Sequence, residues 1–181
     1  LRSTAMRSLF LAIANRKHGG NLLLVMFSLL FLAACATAPA PVDEQVVETR
    51  VRQPAQQDSA GVQVFPLENP AVTELLADAS SAEQSGNYEQ ASLLLERALR
   101  IQPRNPELLQ SMAEVQLRVG DYEQALNFAV RSYDLGPRVG EICSRNWRTI
   151  SVSREYLGDH GGSLDAEKRA TNCMVTKPQG F

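Results

Sequence analysis

A short segment of the sequence recurs after 34 residues. Residues 86–91 read Gly-Asn-Tyr-Glu-Gln-Ala, and residues 120–125 read Gly-Asp-Tyr-Glu-Gln-Ala. The same offset relates Pro103 to Pro137. A fixed period of this length indicates stacked units, each of which buries its apolar face against its neighbours. The chain is therefore expected to fold as an array of similar units.

Each unit carries start and stop signals for two helices. An Asn-Pro pair opens the first helix, because Asn caps a helix N-terminus and Pro tolerates the first helical position. A Gly in the left-handed conformation can end that helix, and the next residue caps the second helix in a capping box with a Gln. The pattern predicts helix, short turn, helix. These signals are Asn69-Pro70, Asn105-Pro106, Gly86, Gly120, Asn87, Asp121, Gln90 and Gln124.

The 34-residue unit, with Gly-x-Tyr at its turn, a small residue three positions later and a closing Pro, resembles the tetratricopeptide repeat (TPR). The resemblance implies an all-α fold, a right-handed α-solenoid of about three helix-turn-helix hairpins. A degenerate third unit has Gly158-Asp159-His160 at its turn, and Trp147 lies eleven residues before Gly158. The predicted repeats span about 72–105, 106–139 and 141–174. The faces expected to be buried contain Tyr88, Ala91, Leu95 and Ala98; Tyr122, Ala125, Ala129 and Ser132; and Ser163, Ala166, Ala170 and Cys173.

The N-terminus has the pattern of an export signal. Residues 22–34 are thirteen uncharged residues that follow Arg16 and Lys17. As a helix they would rise roughly 20 Å, which is short of the roughly 30 Å hydrocarbon core of a membrane. A cleaved signal is therefore favoured over a permanent span. Met6 is a more natural initiator than Leu1.

The end of this signal, Leu32-Ala33-Ala34-Cys35, resembles the lipobox of bacterial lipoproteins. The resemblance implies that residues 1–34 are a lipoprotein signal peptide and that Cys35 becomes the acylated first residue, a lasting membrane attachment. In that family an Asp after the Cys favours the inner membrane, whereas Ala36 stands here. An outer-membrane lipoprotein of a Gram-negative bacterium, facing the periplasm, is implied. The alternative is a chance Cys beside an ordinary signal-peptide site.

The stretch that follows predicts a tether. Residues 35–68 are rich in Ala, Pro, Gln, Val and Asp and show no sustained helical period. Such a stretch cannot form a core of its own, and as a coil it would span roughly 30 Å. We expect a lipidated Cys and flexible tether at 35–68, the TPR domain at 69–175 and a tail at 176–181.

The other two cysteines form an even pair once Cys35 is assigned to lipid. In the hairpin arrangement, Cys143 opens the first helix of the third unit and Cys173 ends the second, which brings them together. A disulfide is expected, since the periplasm is oxidising. Two buried free thiols are the alternative.

Neither composition nor motifs indicate catalysis. The chain has 18 Lys+Arg and 20 Asp+Glu, a net charge of −2, which gives no basic field for nucleic acid. Beyond residue 34 the sequence has a single His, His160, which we interpret as a packing residue. Asp121 with Glu123, a carboxylate pair two residues apart on a helix, points to different faces. We expect no enzyme, cofactor, metal, nucleic acid or small-molecule substrate.

The TPR resemblance implies a concave groove lined by first helices that binds other envelope proteins or peptide segments. The groove positions implied are Leu76, Ser80, Glu83, Gln84, Gln110, Glu114, Leu117, Arg118, Arg145 and Arg148, followed by Val152 and Glu155. The predicted function is a protein-binding scaffold or adaptor in envelope biogenesis. The alternative is an assembly factor for a pilus or secretion channel. Within the groove, Arg118 and Arg145, assigned to adjacent first helices, are expected to contribute more to partner capture than Arg97 and Arg131 on second helices.

Overall fold

Helices make up the regular structure of the described chain. The computed structural model describes residues 40–58 and 69–173, and it contains no strand in these ranges. None of the helices described there has the length and apolarity needed to cross a membrane. In chain order the elements are α1 (Glu44–Val46), the π-helical turn π1 (Val47–Arg52), α2 (Gln53–Asp58), α3 (Pro70–Gln84), α4 (Tyr88–Ile101), α5 (Pro106–Val119), α6 (Tyr122–Leu135), α7 (Glu141–Tyr156) and α8 (His160–Thr171).

The six helices from α3 to α8 form three helical hairpins that stack in chain order, as the repeat predicts. The all-α solenoid is thereby confirmed. The predicted signal peptide, Cys35 and the tail at 176–181 lie outside the described residues.

The turns inside the hairpins form where the glycines predict them. The three turn glycines have positive φ angles of 72°, 83° and 84°, a region that only glycine adopts readily. The side chain of the next residue caps the following helix by accepting a hydrogen bond from the backbone N–H three positions on. The turn residues are Gly86 and Asn87, Gly120 and Asp121, and Gly158 and Asp159.

The last hairpin is closed at its open end. The backbone N–H of Gly140, just before α7, donates to the carbonyl oxygen of Cys173 at 2.7 Å. Cys143 and Cys173 are joined as a disulfide, with their Cα atoms 5.7 Å apart. Formation of this bond in the cell stays a prediction.

Small residues bring the helices close together. The faces expected from the sequence are buried, with Ala91, Leu95, Ala125, Ala129 and Ala166 each 0% exposed. One core cluster joins α3, α4 and α5 around Leu95 and Met112. A second joins α5 to the last hairpins around Ile150 and Ala166, and Trp147 packs against it. The solenoid thus has a continuous interior, which the stacking of repeats requires.

Residues 40–58, here named the docked segment, differ from the sequence prediction. The flexible tether predicted for 35–68 is wrong for residues 44–58, which are helical. Val47, Val51 and Ala55 lie four residues apart and are all 0% exposed. The segment packs against α5 and α7, so a surface elsewhere in the chain supplies the apolar contacts that its own composition lacks.

The π-helical turn lies immediately before a proline. In π1 the backbone N–H of Gln53 donates to the carbonyl of Glu48, five residues earlier. Pro54 follows and has no N–H to offer an α-helical ladder. Widened turns of this kind are found at interruptions of the helical bonding pattern. This turn places Arg52 toward the hairpins.

Candidate functional site

Two buried carboxylates lie on neighbouring first helices. Glu83 is near the end of α3 and Glu114 is in the middle of α5, and they are 5% and 0% exposed. Each is paired with an arginine from a neighbouring first helix. Arg118 Nη1 lies 2.9 Å from Glu83 Oε2, and Arg145 donates from Nε and Nη2 to the two oxygens of Glu114 at 2.8 and 3.0 Å.

Arg52 of the docked segment bridges these two carboxylates. Its Nε donates to Glu114 Oε2 at 2.6 Å, and its Nη2 donates to Glu83 Oε2 at 2.8 Å. The guanidinium fork fits this task because its nitrogens point in fixed directions within one plane. One side chain of the segment is therefore bound by residues of two helices.

The charges of this cluster sustain one another. Burial alone would raise the pKa of the Glu114 carboxyl, but Arg145 and Arg52 outweigh burial and lower that pKa from 4.5 to about 2. Burial likewise disfavours the charged form of Arg52, yet Glu114 and Glu83 raise the pKa of that guanidinium. Gln110 holds the carboxylate from the side, since its Nε2 donates to Glu114 Oε1 and to Thr149 Oγ1, both at 2.8 Å.

An apolar pocket receives the rest of the segment. Val42, Val47 and Val51 form one buried cluster with Leu117 and Val152 of first helices and with Tyr122 and Ala125 of the second helix α6. The ring of Tyr122 stacks on that of Tyr156 with centroids 4.7 Å apart. The Tyr122 hydroxyl donates to the carbonyl oxygen of Ala40. The first residues of the segment are thus held by backbone as well as side-chain contacts.

A more exposed ion pair lies at the edge of this pocket. Arg50 Nη2 is 2.5 Å from Glu155 Oε2, and the side chains are 39% and 41% exposed. The hydrogen bond from Arg50 lowers the pKa of the Glu155 carboxyl. Since exposed ion pairs contribute little net free energy, the less exposed Arg52, whose carboxylate partners are buried, is the stronger polar contact.

The structure brings together most of the groove residues implied by the TPR pattern. The residues that contact the segment or support those contacts are Glu83, Gln110, Glu114, Leu117, Arg118, Arg145, Val152 and Glu155. Leu76 instead packs against the cluster between α3 and α4. Ser80 and Gln84 are exposed and bond to each other at 3.3 Å. Arg148 donates to Ser144 Oγ of its own helix at 3.2 Å.

The predicted role of Arg118 and Arg145 in partner capture stays a prediction. In the structure their side chains are 3% and 14% exposed and are paired with Glu83 and Glu114. This pairing results from the packing of α3, α5 and α7, which places each arginine beside a carboxylate of the neighbouring helix. The segment accordingly contributes a cation to the groove. His160 is not a packing residue, because it is exposed at the start of α8.

Sequence reasoning missed the occupant of the groove. Val47, Val51 and Ala55 recur every fourth residue, a spacing that places them on one helical face, and Arg52 adjoins Val51. That spacing was the available signal. In chemical terms, the arrangement holds the Arg52 guanidinium between the carboxylates of Glu83 and Glu114, beside an apolar pocket.

The family assignment agrees with this architecture. The tetratricopeptide repeat model matches residues 82–131. The chain belongs to the tetratricopeptide repeat proteins, which are generally non-enzymatic scaffolds that bind other proteins or peptides.

Two solved structures show how far the likeness extends. The chain is similar to the globular C-terminal domain of LpoP from P. aeruginosa, with 33% identity over 57% of this chain and 97% of that domain and a TM-score of 0.54. The TPR domain of Sgt2 from Aspergillus fumigatus shares the fold, with 24% identity over 58% of this chain and 67% of that one and a TM-score of 0.54. No curated protein matches the sequence.

Proposed function

We propose that this protein is an adaptor of the Gram-negative cell envelope, acylated at Cys35, attached to the outer membrane and facing the periplasm. In this role its concave groove holds a segment of another envelope protein. The observation that carries the proposal is that Arg52 of a helical segment bridges Glu83 and Glu114 on two neighbouring first helices, which supports a groove able to receive such a segment.

The attachment is supported by the sequence. Leu32-Ala33-Ala34-Cys35 follows an uncharged stretch and a basic region, as in bacterial lipoproteins. Metabolic labelling with a palmitate analogue should mark the wild type and leave Cys35→Ser unmarked. Membrane fractionation should place the labelled protein with the outer membrane. Label that persists in Cys35→Ser would contradict acylation at this residue.

The binding face is tested by crosslinking in living cells. A photoreactive amino acid is placed at position 155, whose side chain lies at the groove and is 41% exposed, and in a matched variant at position 167. Glu167 is an exposed residue of α8, on a second helix. We expect discrete protein adducts from position 155 and none of the same size from position 167.

Adducts of equal yield from both positions would contradict binding through the groove. Adducts from position 167 alone would move the partner surface to the second helices. Both variants must retain the helical circular dichroism signal of the wild type, so that a lost adduct is not a lost fold.

A further inference from the structure

The groove keeps its internal charge balance without the docked segment. Glu83 has Arg118 as a partner, and Glu114 has Arg145, all within the hairpins. Removal of Arg52 therefore leaves neither buried carboxylate without a cation. The loss of a salt bridge is costly when it leaves a buried charge unpaired. Because Glu83 and Glu114 keep their arginine partners, release of the docked segment does not carry that cost.

The segment is joined to its receptor by a short connection. Residues 59–68 link α2 to Asn69, the cap of α3. Ten residues are a short connection, and a segment held by a connection of this length has an effective concentration on the order of mM at its own binding site. The segment thus competes with any other ligand of the groove as if it were present at that concentration.

We propose that residues 40–58 are an internal competitor for the groove, displaced by a partner helix that carries an arginine in the place of Arg52. The inference rests on the proposed function, since it assumes that the groove receives a partner. In the partner helix, one small apolar residue immediately precedes the arginine, as Val51 precedes Arg52. A second lies four residues before the first, in the position of Val47.

The geometry of the bridge selects arginine over lysine. Two nitrogens of one guanidinium, Nε and Nη2, reach carboxylates on two different helices. A lysine ammonium is a single point and cannot reproduce both directions at once. The competing helix is therefore defined by a single arginine beside an apolar face rather than by general positive charge.

The first test measures binding of a labelled peptide of residues 40–58 to the full chain in detergent. Fluorescence anisotropy compares the wild type with Val47→Asp/Val51→Asp, two changes that leave every groove residue intact. We expect the variant to bind the peptide at least about tenfold more tightly, because its own segment no longer occupies the site. Equal affinity for the two chains would overturn the proposal.

Peptide variants test the chemistry of recognition on the same double variant. Arg52→Lys and Arg52→Ala peptides should bind about tenfold more weakly or worse, given the strength of charge-assisted hydrogen bonds. An Arg50→Lys peptide is the matched control, and it should lose less because Arg50 is more exposed. Equal loss from both positions would show that charge alone is recognised and would overturn the arginine requirement.

A second readout needs no substitution in the protein. Unlabelled peptide at mM concentration should accelerate amide hydrogen exchange within residues 44–58 of the wild-type chain, and the Arg52→Ala peptide should not. Unchanged exchange would overturn displacement even if the double variant failed to fold.

A dimer that dissociates in the double variant would place the segment in a second copy, which also overturns an internal competitor. None of these outcomes depends on Cys35, so failed acylation remains a separate result.

Discussion

Glu114 is the residue on which the groove depends most. It is fully buried, and it accepts hydrogen bonds from Arg145, Arg52 and Gln110. Removing the carboxylate charge would leave two guanidinium groups close together with less compensation. Loss of one member of a buried ionic group is among the more destabilising single changes in a protein.

We expect acid to weaken the fold through this residue. The pKa of Glu114 is about 2 in the folded chain against 4.5 as its ordinary value, so its stabilising contribution is complete above pH 4.5. That contribution is lost as the pH falls from about 4.5 toward about 2 and amounts to about 3 kcal/mol. Urea unfolding of the wild type at a series of pH values measures the slope.

Glu114→Gln should be less stable than the wild type at pH 7, by about 3 kcal/mol, and should lose most of the acid-dependent slope. Glu155→Gln is the matched control, because its carboxyl is more exposed, and it should keep that slope. A wild-type slope that survives in Glu114→Gln would assign the acid sensitivity to other groups.

Two glycines should respond to alanine with opposite signs. Gly86 has a φ of 72° and open space around its missing Cβ, so Gly86→Ala should cost about 1 kcal/mol through backbone conformation alone. Gly161 lies in the first turn of α8, where an added Cβ lies 4.0 Å from the nearest Asp159 oxygen. Gly161→Ala should therefore stabilise the chain by about 0.5 kcal/mol, measured by chemical denaturation. Two shifts of the same sign would refute this account.

At the scale of elements, the hairpin helices could be predicted because their signals are local. Asn69-Pro70 and Asn105-Pro106 are start signals that lie within the helices they begin, and the turn glycines are the matching stop signals. The groove positions on α5 and α7 follow from the resemblance to the tetratricopeptide repeat. Which charges pair there could not be predicted, since Arg118 meets Glu83 only through the packing of α5 beside α3.

The docking of residues 40–58 could not be predicted for a related reason, although the four-residue spacing of Val47, Val51 and Ala55 is a helical signal. The proline content of the segment indicates a coil, and Pro54 interrupts a regular α-helix. The stretch becomes helical by burying Val47 and Val51 against Leu117 and Val152, residues far away in the sequence. Tertiary contacts therefore override the local preference, as they often do in short helices.

The disulfide between the ends of α7 and α8 should stabilise the last hairpin. It closes a loop of 30 residues, for which the chain-entropy model gives about 3 to 4 kcal/mol. We expect Cys143→Ser/Cys173→Ser to lower the free energy of unfolding by that amount. Reductant should have the same effect on the wild type and none on the double variant. A wild type indifferent to reductant would show that its thiols are free.

At the scale of the whole molecule, α5 is the central element. Most of its residues are buried, among them Leu108, Leu109, Met112, Glu114 and Leu117. It packs against α4, α6 and α7 and also contacts the docked segment. The terminal helix α8, in contrast, has a largely exposed outer face. The array is therefore organised around its second repeat.

This arrangement predicts an order of local opening. Amide protons of α5 should exchange most slowly, those of α8 faster, and those of residues 44–58 fastest among the described helices, because buried contacts decrease in that order. Hydrogen exchange with mass spectrometry measures all three in one experiment. Slower exchange in residues 44–58 than in α5 would contradict a readily displaced segment.

With the acyl anchor that we propose at Cys35, the hydrogen bond between Tyr122 and Ala40 would limit how far the domain moves from the membrane. Only residues 36–39 lie between Cys35 and Ala40, and at about 3.5 Å per residue the five steps span at most about 18 Å. With the segment released, the chain from Cys35 to Asn69 is no longer held to the groove. At full extension it exceeds 100 Å, about 3.5 Å for each of its 34 steps. In a chain anchored to the membrane at Cys35, a docked segment would thus keep the repeats near the bilayer. Displacement of the segment would let the repeats reach farther from the bilayer.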